Sequence, residues 1–576
     1  MGTIRDSLRR EGKQFRELVK LFFRKFLEND LICLEGDTSS TLINILALVA
    51  APGVFFPVLE NFIYGPMYTL PLWVRDLHSL PEKGLYLSFS MTVLGILVVL
   101  EWDTLLPDRR DYNVLQPFPL RLGTILTAKI AALAGLWAVF TVAVNAFSTI
   151  IFPMVVVQTE DLRSVAWFAR GHALAVLAGN AFVFLALISL QGLLMNVLGW
   201  RWFRRVSPYA QGLLITALLL MFFSSASVTN GITPGRPLTT ALRLFPPAWF
   251  IGFYQTELGW KQPLFRELAA QALTALAAAG LTGAAAFTLS YKRHVSRSLE
   301  LTESSRMAPG RLRRAASGVL NTVFLRTAGE RASFHFVVDT MLRSRNHRSV
   351  LCAWAGVGFA LVGQTLAAVI ASGSRTWWQS PQGVLLPVPI VLSLFLLCGM
   401  RHMFAIPAEL GANWLFRVSG RKDSRDYLPG VRKAVLVVGI LPLYALLLPV
   451  HIAIWGWTAA SLHIVFGCTV AWLLMEVLLA GFAKLPFTCS YVPGKANIKA
   501  LWPVYTLAFL AYVSSLSGFE LWILREPSRM VWLFVFAAVC KAGVLFYRRR
   551  LRPEDLLLVF DERPEPVVRT LDLMQP

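Results

Sequence analysis

Long apolar runs alternate with short polar breaks along almost the whole chain. The runs fall near 41–59, 85–102, 130–157, 171–199, 209–229 and 265–290, and then near 349–372, 384–404, 434–456, 459–483, 501–519 and 529–547. About 20 apolar residues carry an α-helix across the ~30 Å hydrocarbon core of a bilayer. The pattern predicts twelve transmembrane helices, six on each side of a polar middle.

The charges between the runs support that count. With the N-terminus placed in the cytoplasm, the alternate segments that become cytoplasmic hold 43 Lys and Arg, and the outer loops hold 11. Lys129, inside the third run, completes the 55. Basic residues favour cytoplasmic loops, and one missed or invented span would invert every later loop. The same count puts both termini in the cytoplasm, and the expected location is the inner membrane of a bacterium.

Two polar segments have a different period. In FRELVKLFFRKFLEND, Phe15, Leu18, Val19, Phe22, Phe23, Phe26 and Leu27 repeat at three and four residues, with Arg16, Lys20, Arg24 and Lys25 on the other faces. That is an amphipathic helix suited to lying in the membrane interface. SFHFVVDTMLRSRNHR repeats the stripe through Phe334, Val337, Val338, Met341 and Leu342. Each half therefore reads as an interfacial helix followed by six spans. Arg110-Asp111-Tyr112 follows the second span, and Arg425-Asp426-Tyr427 follows the eighth. Six spans return the chain to its starting side, so the halves form a parallel repeat about an axis along the membrane normal. The expected fold is an all-α polytopic membrane protein. Its segments are an N-terminal interfacial region at 1–40, a first half at 41–291, a basic linker with the second interfacial helix at 292–348, a second half at 349–547 and a tail at 548–576.

Composition agrees. Of the 576 residues 56% are hydrophobic and 15% charged, against about 25% charged in soluble domains. The net charge of +21 could suit nucleic acid, but the basic residues sit between spans and not in one basic domain. No nucleic-acid partner is expected. The six cysteines form no CxxC pair, which argues against a zinc site or disulfide framework. No cleavable signal is read, because the first apolar run begins near residue 41. The segment at 231–260, GITPGRPLTTALRLFPPAWFIGFYQTELGW, is apolar and aromatic but too short to cross. It reads either as an interfacial belt or as a re-entrant hairpin, whose irregular backbone would need satisfying by protein or water.

The turn after the second span is the densest knot of charge, EWDTLLPDRRDYNVLQPFPLRLGTILTAK at 101–129. One reading is a solvated turn with local ion pairs, each contributing about 0–1 kcal/mol. The other is a protein contact. The order of elements, with LQPFPLRLGTILTAK (Phe118, Pro119, Arg121, Ala128, Lys129), resembles the type-2 permeases of ATP-binding-cassette (ABC) exporters. The first half carries the resemblance best, and the second lacks the Phe-Pro-x-Arg element. The resemblance implies a separate, dimeric ATPase partner docked on the cytoplasmic turns through Asp103, Asp108, Arg109, Arg110, Asp111 and Arg121. The loop 199–208 would add Arg204 and Arg205. The second half would contribute Glu409, Arg417, Arg425 and Asp426, together with 485–499. Such permeases usually pair two six-span subunits, so one chain with two halves would be a pseudo-dimer.

No GxxxxGK[ST] phosphate loop occurs, and Pro493-Gly494-Lys495-Ala496 lacks both the upstream Gly and the hydroxyl. The expected protein is not an enzyme and holds no cofactor. Within the spans the charges to explain are Glu476 and Lys541: pathway groups, an ion pair, or side chains reaching the interface from helix ends. His451 and His463 flank the turn after the ninth span and could meet, but without a nearby acid they make a poor site. Asp76, His78 and Glu82 are the other candidates for chemistry and lack a nucleophile. The sequence thus points to a permease. Its alternatives are a polytopic enzyme acting on lipid-linked substrates and a secondary transporter.

Overall fold

The structure, a computed structural model, describes residues 2–27, 38–102, 122–158, 161–233, 235, 238–300, 318–371, 384–408, 416, 418, 427–482, 485–488 and 498–550. Among these residues there is no strand. Ten helical stretches are long and apolar enough to cross a bilayer, and this is an all-helical, multi-span membrane protein. Apolar helices suit that solvent because every backbone N–H and C=O is bonded within the segment. The chain divides into two compact units, Met1–Ser305 and Arg306–Pro576.

Unit 1 opens with α1 (Gly2–Leu27), followed by α2 (Thr38–Ala50) and α3 (Pro52–Tyr64), which together form the first candidate span. A short α4 (Leu72–His78) leads into α5 (Leu80–Leu100), the most buried of the spans. Then come α6 (Leu122–Val157) and the 62-residue α7 (Leu162–Phe223). Of the expected stripe on α1, Leu18, Phe22 and Phe26 are buried, against α6. Lys129 of α6 stands 5.1 Å from the Phe22 ring centroid.

α7 is not one straight rod. At Gly199 the backbone has φ +70°, a conformation that only glycine adopts cheaply. Val183 and Leu218 both approach the Cα of Gly95 on α5. A straight helix would separate them by about 52 Å, so the chain reverses at Gly199. The loop expected over 199–208 is therefore a single-residue turn followed directly by helix. Spans α5, α6 and α7 are joined by a polar knot, in which Ser90 bonds Asn145 at 2.7 Å and Asn180 at 2.8 Å. Small polar side chains of this kind hold helices together where lipid offers no hydrophobic driving force.

The aromatic segment lies inside the bundle. It forms α8 (Ser225–Thr229), α9 (Thr240–Leu244) and α10 (Pro246–Glu257), before α11 (Pro263–Glu300). In α10, Phe250, Ile251 and Tyr254 are buried. Tyr254 sits beside Lys83 of α5, and Phe250 sits with Met91 of α5 at Gly179. Lys83 and Met91 are eight residues apart, so α10 follows α5 inward for about 12 Å. The segment is thus packed against α5 within unit 1.

Unit 2 runs through α12 (Ala328–Arg343), α13 (Arg345–Ala371), α14 (Val388–Met403), α15 (Leu428–Val435), α16 (Leu441–Leu478), α17 (Ile498–Leu524) and α18 (Met530–Arg550). A π-turn, Leu436–Ile440, makes α15 and α16 continuous. Ile390, Phe466, Val470, Ile523 and Leu533 form a core joining α14, α16, α17 and α18. α12 turns Phe334, Val337 and Met341 inward and packs on α15, with Ser333 Oγ donating to the Tyr427 carbonyl at 2.8 Å.

Three of the twelve expected spans differ. The eighth is only 16 residues of helix, Val388–Met403, or about 24 Å, short of a full crossing. The ninth and tenth form one stretch, Leu428–Leu478, broken at Gly456 with φ +76°. The rings of His451 and His463 are 4.6 Å apart, where a straight helix would hold them about 18 Å apart. Here too the chain folds back at one glycine, and the stretch is a hairpin of two helices.

Candidate functional site

Among the described residues, clusters of buried ionisable side chains lie between the apolar helices of both units.

In unit 1, α4 meets the start of α5. Asp76 and Lys83 are seven residues apart across the break at Ser79, and they form an ion pair in which Lys83 has no exposed surface and Asp76 only 4%. Lys83 Nζ also donates to Gln255 Oε1 at 3.0 Å, and its ammonium lies 4.7 and 4.5 Å from the ring centroids of Phe168 and Tyr254. The other Asp76 oxygen accepts from Trp260 Nε1 and from Gln255 Nε2 at 3.4 Å. α10 and the loop that follows it thus supply Gln255, Tyr254 and Trp260 to this cluster. Beside it, His172 is enclosed by Tyr86, Phe152 and Tyr254, and Tyr86 donates to Glu60 at 2.8 Å. A cavity of about 660 Å³ borders Asp76, lined by aromatic rings including Trp73, Trp167, Phe168 and Trp260.

Both carboxylate oxygens of Asp76 are engaged, so it is a held counter-ion and not a free base. Of the three candidates, Asp76 is buried, Glu82 half-buried and His78 exposed. Lys83 was missed because its position was read as outer loop, where a lysine is unremarkable. The signal available was its place one turn inside an apolar helix, seven residues from an aspartate.

In unit 2, Glu476 near the end of α16 accepts from Lys541 at 2.7 Å and Arg548 at 3.2 Å, both from α18. Arg432 of α15 stands at 3.7 Å. The two intramembrane charges singled out in the sequence are therefore brought together, with two arginines that the sequence reading had assigned to loop and tail. Arg548 also donates to the carbonyls of Glu476 and Leu479, and Arg401 of α14 donates to Leu478 O at 3.2 Å. These are carbonyls that a helix end leaves without intrahelical partners.

The third cluster is at the other end of the α16 hairpin. His463 Nδ1 bonds Glu520 of α17, and all three of His451, His463 and Glu520 are at most 2% exposed. His451 Nε2, His463 Nε2 and Glu520 Oε2 have no hydrogen-bond partner. The acid absent from the sequence reading is supplied from 57 residues away, a distance at which no local spacing rule applies. No group of three His, Cys, Asp or Glu among the described residues can hold a metal ion. Glu520→Gln keeps an acceptor for His463 and is expected to cost under about 1 kcal/mol. Glu520→Leu strands a buried imidazole and is expected to cost about 1–3 kcal/mol. Thermal unfolding in detergent measures both, and equal losses would refute the pairing.

Of the docking residues expected in the turns, Arg205 is the one whose side chain falls among the described residues. Arg205 is exposed and lies against Trp202 at 5.5 Å. Asp103, Asp108, Arg109, Arg110, Asp111, Arg121, Glu409, Arg417, Arg425 and Asp426, and the side chain of Arg204, lie outside the described residues. Comparison with protein-family models, with curated proteins and with solved structures gives no match.

Proposed function

We propose that this chain is the membrane-spanning permease of an ATP-driven type-2 ABC transporter, powered by a separate ATPase. The observation that carries the reading is the seating of the two amphipathic helices. In each unit such a helix packs on the helix that follows a charged turn, α1 on α6 and α12 on α15. Both contacts involve a lysine of the span, Lys129 near the Phe22 ring of α1 and Lys433 paired with Glu330 of α12 at 2.7 Å. A helix lying across the end of a span is a lever: a partner that pushes on the turn moves both together. The re-entrant α10 before the last span of unit 1 is the further element that type-2 permeases share. On this reading the hairpin at Gly456 counts as two spans and the short α14 as another. The total is then twelve, in two parallel halves of an inner-membrane exporter with cytoplasmic termini.

The test is capture of the partner. Affinity-tagged chain, extracted from its native membrane, is expected to recover an ATPase bearing the phosphate loop that this chain lacks. Reversing Arg109 and Arg110 to glutamate is expected to reduce that recovery at least tenfold without loss of folded protein. Failure to recover any ATPase, with transport intact in the reversed variant, would refute the proposal.

The His451–His463–Glu520 cluster favours a second reading, a proton-driven transporter, because buried ionisable groups in spans often form relays. Transport that collapses with the proton gradient and in Glu520→Gln, while ATP is indifferent, would select it.

A further inference from the structure

We propose that the end of unit 2 where α14, α15, α16 and α18 converge binds the phosphate of an anionic phospholipid, held by Arg432, Lys541 and Arg548. Around Glu476 the charges do not balance. One carboxylate faces three cations within 4 Å, at 2.7, 3.2 and 3.7 Å. The end of α16 supplies roughly half a negative charge. Neutralising Glu476 and capping the helix therefore leaves a surplus of more than one positive charge among Arg432, Lys541 and Arg548.

The surplus is confined yet reachable. The side chains of Arg548, Arg432 and Lys541 are 17%, 20% and 27% exposed. The Nε atoms of Arg432 and Arg548 are buried without a hydrogen bond. A tetrahedral oxyanion supplies several acceptors to such forked donors at once. A flat protein surface could not reach them, whereas a phosphate on a flexible headgroup could.

The surroundings are those of a membrane interface. Trp472 lies under Lys541 at 5.0 Å and Phe482 under Arg401 at 4.4 Å, and aromatic and basic residues together mark the headgroup level. Below the cations α18 exposes apolar side chains, with Val539 65% and Val535 45% exposed. Acyl chains would lie along that face. Basic pockets between spans are a known setting for acidic headgroups. This site does not depend on the permease reading.

The experiment titrates delipidated full-length chain in neutral detergent with phosphatidylglycerol, phosphatidylcholine or inorganic phosphate, reading thermal unfolding and retained lipid by native mass spectrometry. Phosphatidylglycerol is expected to raise Tm and stay bound, less so in high salt, while phosphatidylcholine does neither. Removing two cations in R432Q/R548Q is expected to weaken phosphatidylglycerol roughly thirtyfold. Should that variant not fold, K541Q at the rim is expected to weaken it about fivefold. Equal responses to the two lipids, or an undiminished phosphatidylglycerol response in the variants, would overturn the site. A shift from inorganic phosphate matching that from phosphatidylglycerol would overturn the lipid as its ligand.

Discussion

Lys83→Met is expected to destabilise unit 1 by about 3–5 kcal/mol, the usual consequence of leaving one member of a buried ion pair without the other. The methionine fills much the same space, so lost packing is a minor part. What remains is the Asp76 carboxylate, buried, with only Gln255 and Trp260 donating to it. Asp76→Asn is expected to destabilise by the inverse route, since the Lys83 ammonium would then be buried with no anion, facing only the new amide, Gln255 and two aromatic rings. The double variant Asp76→Asn, Lys83→Met is the informative one. With no charge left, it should recover most of the loss, because a neutral replacement of a buried pair is often close to neutral in stability. Thermal unfolding of the four proteins in one detergent closes the cycle. Strict additivity would mean that the two residues do not act as a pair.

Gly430→Ala is expected to separate the second amphipathic helix from the span it rests on. A Cβ at this position would fall on the backbone of Glu330, with its carbonyl carbon at 3.0 Å and the carbonyl oxygen and the Ser333 hydroxyl nearer still. Backbone cannot rotate away as a side chain can, so α12 must lift. Lifting it breaks the Ser333 bond to Tyr427 and the Lys433–Glu330 pair at 2.7 Å. A cost of about 1–3 kcal/mol follows from overpacking alone. On the permease reading, ATP turnover of the captured partner should also lose its coupling to transport. Full stability with full coupling would contradict the close seating.

The same contact carries a pH signature. Burial opposes ionisation of Glu330, but the Lys433 ammonium and the Arg326 backbone N–H outweigh it and hold the carboxyl below its usual range. A carboxyl with a lowered folded value stabilises the protein above its unfolded value, and that stability fades as pH falls through the folded one. The seating of α12 is accordingly firm at neutral pH and loosens in acid.

The amphipathic stripes and most of the long spans were legible because each depends on local period. Phe22 and Phe334 face inward for the same reason that they recur at helical spacing. The turns were not. Gly199 and Gly456 each reverse the chain in one residue, and a polar break of several residues was expected in the first case. The clusters were legible only in part. Glu476 and Lys541 announce themselves as charges inside apolar runs. Arg432 and Arg548 resemble ordinary loop arginines until the helix ends meet. Lys83 and Glu520 stand at the edges of their runs, where burial depends on neighbours contributed by distant segments.

The reversal at Gly456 has a consequence for how the protein is made. With a single glycine between its arms, the hairpin offers no hydrophilic segment to be carried across ahead of the second helix. Both arms are therefore expected to enter the bilayer together during synthesis. A reporter tag inserted at Gly456 would interrupt that step, before any question of transport arises.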